Sequence, residues 1–174
     1  DPVARLMIRL KVTPDGITWL GCAATIFISI AFLAQGEFLV GALLFGAFGL
    51  IDLLDGTMAR MLGTAGPWGA FLDSTLDRIS DAAVICALIY FYVNADSSNS
   101  QLAVIAGIVS LVMSLMTSYA RAKAESLDAK CTVGIAERAE RNLLIWISLL
   151  VSALVTDVMP YALAALAVLS TITV

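Results

Sequence analysis

The chain has 174 residues, of which 60% are hydrophobic and only 14% are charged, and its formal net charge is −4. Soluble domains average about 45–50% apolar and about 25% charged residues, so the composition excludes an ordinary soluble domain and indicates an integral membrane protein. No polar stretch is long enough to fold separately, which predicts a single domain over residues 1–174. The sequence contains no histidine, so any metal is expected to have oxygen ligands.

The first predicted element is a short amphipathic helix over residues 3–11. Its apolar and basic side chains fall on different helical faces: Val3, Leu6, Met7 and Leu10 on one, Arg5 and Arg9 on another. This pattern favours a helix that lies in the membrane interface before the first span. A disordered basic arm is the alternative.

Hydropathy predicts six helices, each near the ~20 residues that are needed to cross a bilayer. Their expected ranges are 16–34, 38–61, 69–93, 101–122, 139–156 and 159–174. Turn-like residues separate the ranges. The predicted fold class is therefore all-α: an integral membrane protein with six transmembrane helices and a short N-terminal interfacial helix.

The charges indicate an orientation for these spans. All ten basic residues fall on one side of the predicted bundle, whereas the opposite connections contain only Glu37, Asp96 and Asp157. The positive-inside rule then places both termini and the even-numbered loops in the cytoplasm, in a multi-pass protein of the cell membrane. The basic side suits anionic lipid or a phosphorylated substrate, and nucleic acid is not an expected partner because no aromatic-basic module is present.

A polar run, Thr13-Pro14-Asp15-Gly16-Ile17-Thr18, precedes the first span. Pro14 suits the first turn of a helix, and Asp15 or Thr18 is suited to bond exposed backbone amides there. Helix capping alone explains these residues. A further run of small residues in the second span, from Gly41 to Gly49, predicts close helix packing within the chain or in a dimer.

Four aspartates lie in the second and third predicted spans. A carboxylate in hydrocarbon is costly, so such residues usually face the protein interior and have a function. Asp52 and Asp55 share one helical face with Gly56, and Asp73 and Asp77 share a face of the next helix. The short connection makes the two helices antiparallel neighbours, so the two faces are expected to oppose each other.

Four carboxylates at close range repel one another strongly unless cations neutralise them. Two Mg²⁺ ions are expected in this role, with Mn²⁺ as an alternative. Gly56 leaves space near the backbone for a ligand, and the Arg60 guanidinium suits a phosphate. Metals combined with phosphate-binding cations indicate phosphoryl transfer. Helix pairing or proton relay is the structural alternative, but neither requires this spacing.

The run from Asp52 to Asp77 matches the signature DxxDGxxARx(8)GxxxDxxxD, and the chain thereby resembles the CDP-alcohol phosphotransferase family. The resemblance implies that an alcohol attacks a CDP-linked lipid, giving a phosphodiester and CMP, and it favours a homodimer. It also implies that Asp77 is the catalytic base and that Gly56 and Arg60 contact the CDP group. The implied metal ligands are Asp52, Asp55, Asp73 and Asp77.

The polar run before the first span resembles that of the bacterial phosphatidylinositol-phosphate synthases in this family, where the segment lies over the nucleotide. The resemblance implies further contacts with the CDP-lipid. These would come from Asp15, Gly16, Ile17 and Thr18, and from the backbone of Gly66 in the second loop.

Basic side chains also border the fourth connection, at Arg121, Lys123, Arg138 and Arg141. Some of these residues are explained as ordinary positive-inside anchors. Several guanidinium groups beside one cavity instead suggest a phosphate on the acceptor, and the run Glu137-Arg138-Ala139-Glu140-Arg141 resembles the same group of synthases. Asp81 extends the third-span face by one turn and is expected to support the site or to pair helices.

The leading interpretation is transfer of the phosphatidyl group from CDP-diacylglycerol to a phosphorylated polyol, with myo-inositol 1-phosphate as the expected acceptor. The nearest alternative is a phosphatidylglycerol-phosphate synthase that uses glycerol 3-phosphate, because both acceptors carry a phosphate. A hypothesis of a different class is a divalent-cation channel or transporter with the aspartates as its filter. That class does not require Gly56, Ala59 and Arg60.

Overall fold

The computed structural model describes residues 13–49, 66–128 and 138–173, and these residues are helical apart from short connections. The six helices are α1 (Pro14–Ala31), α2 (Phe38–Gly49), α3 (Pro67–Asn94), α4 (Ser100–Glu125), α5 (Arg138–Leu154) and α6 (Met159–Thr173), and a 3₁₀ turn (Leu33–Gln35) follows α1. The all-helical class and the number of helices confirm the sequence-based prediction. The predicted interfacial helix over 3–11 and the second span beyond Gly49 lie outside the described residues.

The start of α1 follows from local chemistry. Thr13 is the N-cap, and its Oγ1 accepts a hydrogen bond of 3.2 Å from the Gly16 amide. Pro14 occupies the first turn, where a backbone N–H has no partner in the helix, and Asp15 places negative charge at the positive end of the helix dipole. The observed capping bond is therefore made by Thr13, whereas the sequence suggested Asp15 or Thr18 for this role.

α3 is packed between α1 and α4, and α6 packs against both α4 and α5. The largest apolar cluster of the described residues joins α3, α4, α5 and α6 and contains fully buried Leu88, Leu149 and Met159. A smaller cluster joins α1 to α3 through Cys22 and Leu76. Because lipid is as apolar as these side chains, van der Waals packing rather than removal from water stabilises such contacts between membrane helices. Apolar packing therefore fixes α3 against both α1 and α4.

Among the described residues, two segments, Asp15–Gln35 and Ser100–Glu125, are long and apolar enough to cross a membrane by length and composition. In the most apolar 18-residue stretch of each segment, only 33% and 28%, respectively, is buried inside the protein. The outward surface of these helices carries large apolar side chains, such as Phe27 and Ile105. Exposed apolar helices of this length are typical of proteins whose surrounding medium is lipid.

Gly36, after the 3₁₀ turn, gives a first testable expectation. Its φ is +81°, and an added Cβ would lie 2.5 Å from Cε2 of Phe91. The change Gly36→Ala should therefore lower the free energy of unfolding by about 1–3 kcal/mol, through backbone strain and a steric clash. A lower Tm of the detergent-solubilised protein would show it. Gly49→Ala is the matched control, since an added Cβ there meets nothing within 4 Å; equal Tm values for the two variants would contradict the expectation.

Candidate functional site

A cavity of about 400 Å³ lies between α1, α2, α3 and α5. Thr18 and Thr25 line it from α1, and Asp77 and Ser80 line it from α3. α5 contributes the amide of Asn142. Polar groups from three helices therefore converge on a space that is large enough for a small polar substrate.

Three aspartates of α3 share one helical face because they lie at i, i+4 and i+8. Asp77 and Asp81 line the cavity, while Asp73, one turn closer to the start of the helix, is exposed. The aspartates were expected to face a common space. For Asp77 the structure provides that space, and Asp73 continues the same face toward the N-terminal end of α3.

The starts of α1 and α3 lie beside each other. A Cβ added to Gly69 would be 4.0 Å from Oδ1 of Asp15, which brings the polar run of α1 next to the signature glycine of α3. Gly66 is the N-cap of α3, with an extended backbone and an exposed surface. The two segments predicted to contact the CDP group, residues 15–18 and Gly66, therefore belong to two adjacent helix starts.

The members of the polar run differ in burial. Gly16 is exposed and Asp15 is half-buried, whereas Ile17 is only 3% exposed. Thr18 is buried against the protein and also lines the cavity. Gly16 and Asp15 therefore present the most surface to a ligand, while the Ile17 side chain anchors the helix in the apolar interior.

Trp146 and Gly46 bring α5 close to α2 at the cavity wall. The Trp146 indole Nε1 donates a 2.8 Å hydrogen bond to the carbonyl oxygen of Ala42, and both Gly46 and Trp146 line the cavity. A Cβ on Gly46 would lie 2.9 Å from the same nitrogen. The small residues of the second span thus permit a close contact within the chain, which is one of the two roles that their spacing predicted.

The basic residues that were predicted to bind the acceptor phosphate have different surroundings. Arg121 and Lys123 are exposed near the end of α4, and Nε of Arg121 is 3.3 Å from Oε1 of Glu125. An exposed i,i+4 pair of this kind contributes about 0.3–0.5 kcal/mol, so a phosphate could replace Glu125 at little cost. Arg138 begins α5, and its side chain lies outside what the structure describes.

Arg141 is buried, with 8% exposure, at the contact of α5 with α3. Its Nη2 is 3.9 Å from Oδ2 of Asp81, and the two residues border a crevice of about 10 Å³ that Ser114 of α4 also lines. A space of this size holds about one water molecule and no phosphate. Asn142, the next residue, lines the larger cavity, so α5 contributes to both spaces from adjacent positions.

Sequence reasoning did not select Asn142. The sequence does contain a signal for this residue: a polar side-chain amide lies in the first turns of an apolar helix, directly after Arg141. Its Nδ2 donates to Oδ1 of Asp81 at 3.5 Å. Asp81 itself was expected to support the site or to pair helices, and the structure brings it into contact with both α5 residues.

The predicted metal centre is only partly described. Asp52, Asp55, Gly56 and Arg60 lie outside the described residues. Within the described ranges, no three acidic, cysteine or histidine groups are placed to hold a metal ion. Asp73 and Asp77 supply two carboxylates on one face of α3, and this donor chemistry fits Mg²⁺ or Mn²⁺ and excludes soft metals.

Comparison with known proteins identifies relatives. Residues 11–173 match the family model of the CDP-alcohol phosphatidyltransferases. The chain is 43% identical over 143 residues to the phosphatidylinositol phosphate synthase of Cutibacterium acnes, an alignment that covers 82% of this chain and 68% of that protein. The synthase of Streptomyces avermitilis is 41% identical, with 80% and 57% covered. An archaetidylinositol phosphate synthase of Methanothermobacter thermautotrophicus is also 41% identical, with 83% and 68% covered.

Crystal structures of the Mycobacterium tuberculosis phosphatidylinositol phosphate synthase are similar to this fold. The complex with manganese and citrate has a TM-score of 0.91 at 36% identity, covering 99% of this chain and 83% of that chain. The structure with CDP-DAG bound has a TM-score of 0.90 at 36% identity, covering 99% and 87%. Against the three curated relatives above, this chain spans between 57% and 68% of their length.

Proposed function

The chain belongs to the CDP-alcohol phosphatidyltransferase family, and we propose that it transfers the phosphatidyl group of CDP-diacylglycerol to myo-inositol 1-phosphate, giving phosphatidylinositol phosphate and CMP. The family membership confirms the resemblance that the aspartate signature indicated. The observation that carries the proposal is the position of Asp77, the last residue of the signature, in the wall of the 400 Å³ cavity. The phosphatidylinositol phosphate synthases among the relatives support the choice of acceptor.

We assign the CDP group to the side of the site where α1 and α3 begin. Asp15, Gly16, Ile17, Thr18 and Gly66 belong to these two adjacent helix starts, and the positive end of each helix dipole favours the negative charge of a pyrophosphate. Gly56 and Arg60 complete the proposed contacts from outside the described residues. The CDP-DAG complex of the M. tuberculosis relative supports the choice of donor.

In the proposed reaction, an acceptor hydroxyl attacks the phosphorus that bears the diacylglycerol. The new oxygen–phosphorus bond forms as the bond from that phosphorus to the CMP phosphate breaks, and the hydroxyl proton passes to the carboxylate of Asp77. Asp52, Asp55, Asp73 and Asp77 would hold two Mg²⁺ ions, with Mn²⁺ as an alternative. Such ions supply charge stabilisation to the departing CMP. The manganese complex of the M. tuberculosis relative supports a divalent cation.

We assign the acceptor phosphate to Arg121, Lys123, Arg138 and Arg141. Because the crevice beside Arg141 is too small for a phosphate, the Arg141 guanidinium would turn toward the larger cavity to bind one. Arg121 and Lys123 end α4, and Arg138 and Arg141 lie in the first turn of α5, directly before Asn142 in the cavity wall. Guanidinium groups bind phosphate through paired N–H donors. The hydroxyl group of Ser80 and the amide group of Asn142 suit the uncharged hydroxyls of a polyol.

We further infer a single-domain bundle of six transmembrane helices in the cell membrane, with both termini, an N-terminal interfacial helix and the active site on the cytoplasmic side. The apolar outward faces of α1 and α4 support the membrane setting, and the one-sided basic residues support the orientation. The small residues of α2 and the family resemblance favour a homodimer. Nucleic acid is not a proposed partner.

Purified protein supplied with CDP-diacylglycerol and a divalent cation tests the acceptor. We expect CMP release with myo-inositol 1-phosphate at a kcat/KM at least about 10-fold above that with glycerol 3-phosphate, because a site that bonds ring hydroxyls rejects an acceptor lacking them. Unphosphorylated myo-inositol is the matched control for the basic residues and should react poorly.

Product from glycerol 3-phosphate alone would refute the choice of inositol phosphate and support the nearest alternative. Flux of divalent cations through reconstituted vesicles without CMP release would refute the enzyme and support the channel hypothesis. Mass spectrometry of the lipid product distinguishes phosphatidylinositol phosphate from phosphatidylglycerol phosphate.

A further inference from the structure

Asp81 lies one turn beyond the signature and borders both spaces of the site. It lines the 400 Å³ cavity together with Asp77, and it lines the crevice together with Arg78 and Arg141. Two of its contacts reach across to α5: Oδ2 is 3.9 Å from Nη2 of Arg141, and Oδ1 accepts from Nδ2 of Asn142 at 3.5 Å. One carboxylate therefore joins α3 to two consecutive residues at the start of α5.

The charge of Arg141 requires such a partner. A guanidinium with only 8% of its residue exposed loses most of its hydration and must be compensated by an opposite charge. Of the charged residues that line the crevice, Arg78 and Arg141 are positive and Asp81 is negative. Nη1 of Arg78 donates to the carbonyl oxygen of Ser74 in its own helix, whereas the guanidinium of Arg141 lies within ion-pair distance of Asp81.

The two contacts differ in kind. At 3.9 Å the Asp81–Arg141 contact is too long for a hydrogen bond and is mainly Coulombic, so it attracts the guanidinium without fixing the direction of its N–H groups. The contact with Asn142 is also long, at 3.5 Å, but it comes from a side chain that already lines the cavity. Asp81 thus constrains where the start of α5 lies while leaving the α5 groups able to adjust to a ligand.

We propose that Asp81 is a positioning residue for the acceptor: it holds Arg141 and Asn142 of α5 against α3, beside the cavity that Asp77 lines. The inference rests on the proposed function, which assigns the acceptor phosphate to the start of α5. Asp81 acts through these two residues rather than on the reacting atoms. A helix-packing pair alone would affect stability, whereas a positioning residue affects acceptor binding selectively.

The variant Asp81→Asn tests this role because it keeps the side-chain shape and removes the charge. We expect the KM for the phosphorylated polyol to rise at least about 10-fold, while the KM for CDP-diacylglycerol stays within about 2-fold. Asp81→Glu, which keeps the carboxylate, should recover part of the loss. Asp96→Asn, an exposed acid in the connection between α3 and α4, is the matched control and should change neither KM.

A double-mutant cycle with Arg141→Ala identifies the pathway of the effect. If Asp81 acts through Arg141, adding Asp81→Asn to Arg141→Ala raises the acceptor KM by less than about 2-fold more. If the acceptor KM of the double variant rises by the product of the two single-variant increases, the inference is overturned. Equal increases in the KM for the acceptor and the KM for CDP-diacylglycerol would also overturn it. A lower Tm with unchanged KM values would also overturn it, because that result belongs to a packing pair.

Three further outcomes bear on the inference. Where Asp81→Asn does not yield folded protein, Asn142→Ala removes the second contact while leaving the charge pair, and an unchanged acceptor KM in that variant would overturn the inference. Wild-type protein that releases no CMP with any phosphorylated polyol would refute the proposed function and remove the basis of the inference with it. An active wild type with an unaffected Asp81→Asn variant refutes the inference alone.

Discussion

Replacing Asp77 with asparagine is expected to reduce kcat by about 10²–10⁴-fold, the range that a positioned general base contributes. Asparagine has nearly the same shape and should occupy the same place in the cavity wall. It cannot accept the hydroxyl proton at neutral pH, and its amide oxygen is a weaker ligand for a hard cation than a carboxylate. Initial rates of CMP release at saturating donor and acceptor give the comparison.

The controls for Asp77→Asn separate chemistry from folding. Asp96→Asn changes an exposed acid remote in sequence from the signature and should keep wild-type kcat. In EDTA, the Tm of Asp77→Asn should stay close to that of the wild type, because the amide fills the same volume. A kcat within about 10-fold of the wild-type value would contradict the role of Asp77 as base, since it falls below the usual contribution of such a group.

The helices and the aspartate face of α3 were predictable because they depend on local patterns. A run of about 20 apolar residues shows where a membrane helix lies. The 3.6-residue period of the helix then shows which of its residues share a face. The predicted third span, 69–93, agrees closely with α3, Pro67–Asn94. The same period placed Asp77 and Asp81 on one face, and both line the cavity.

The contacts of α5 were not predictable in the same way. Arg121 and Arg141 are both arginines at a helix end beside the same connection, yet one is exposed and the other is buried. Their difference depends on how α4 and α5 rotate against α3, which no local pattern reports. The contact of Asp81 with Asn142 likewise joins residues that are 61 positions apart. Only the packed structure shows that a residue outside the signature contacts the start of α5.

α3 therefore combines three tasks that the sequence presented separately. Its apolar positions, such as Leu76, pack against Cys22 of α1 and fix the depth of the helix in the bundle. The next residue, Asp77, and Asp81 one turn after it line the cavity, and Asp81 also contacts α5. Because one rigid helix carries the proposed base and the proposed positioning residue, the distance between the two is fixed by its 1.5 Å rise per residue.

Removal of divalent cations is expected to have an effect as large as the loss of Asp77. Chelation with EDTA should lower CMP release by at least about 10²-fold, because the carboxylates of the signature and the donor's pyrophosphate would then repel one another without compensation. Adding Mg²⁺ or Mn²⁺ in excess should restore the rate. Larger Ca²⁺ accepts more ligands at longer distances and should restore less.

A second readout keeps this prediction independent of turnover. If the aspartates of the folded protein bind the cation, Mn²⁺ should raise the Tm of the EDTA-treated protein. The shift should grow with Mn²⁺ concentration, because a ligand that binds only the native state stabilises it by mass action. Asp73→Asn, a change at an exposed position of α3, should move this titration to higher Mn²⁺ concentration, whereas Asp96→Asn should leave it unchanged. Transfer that persists in EDTA, together with a Tm that does not respond to Mn²⁺, would contradict a metal-dependent site. In that case the four signature carboxylates would bind a pyrophosphate with no cation to offset their repulsion.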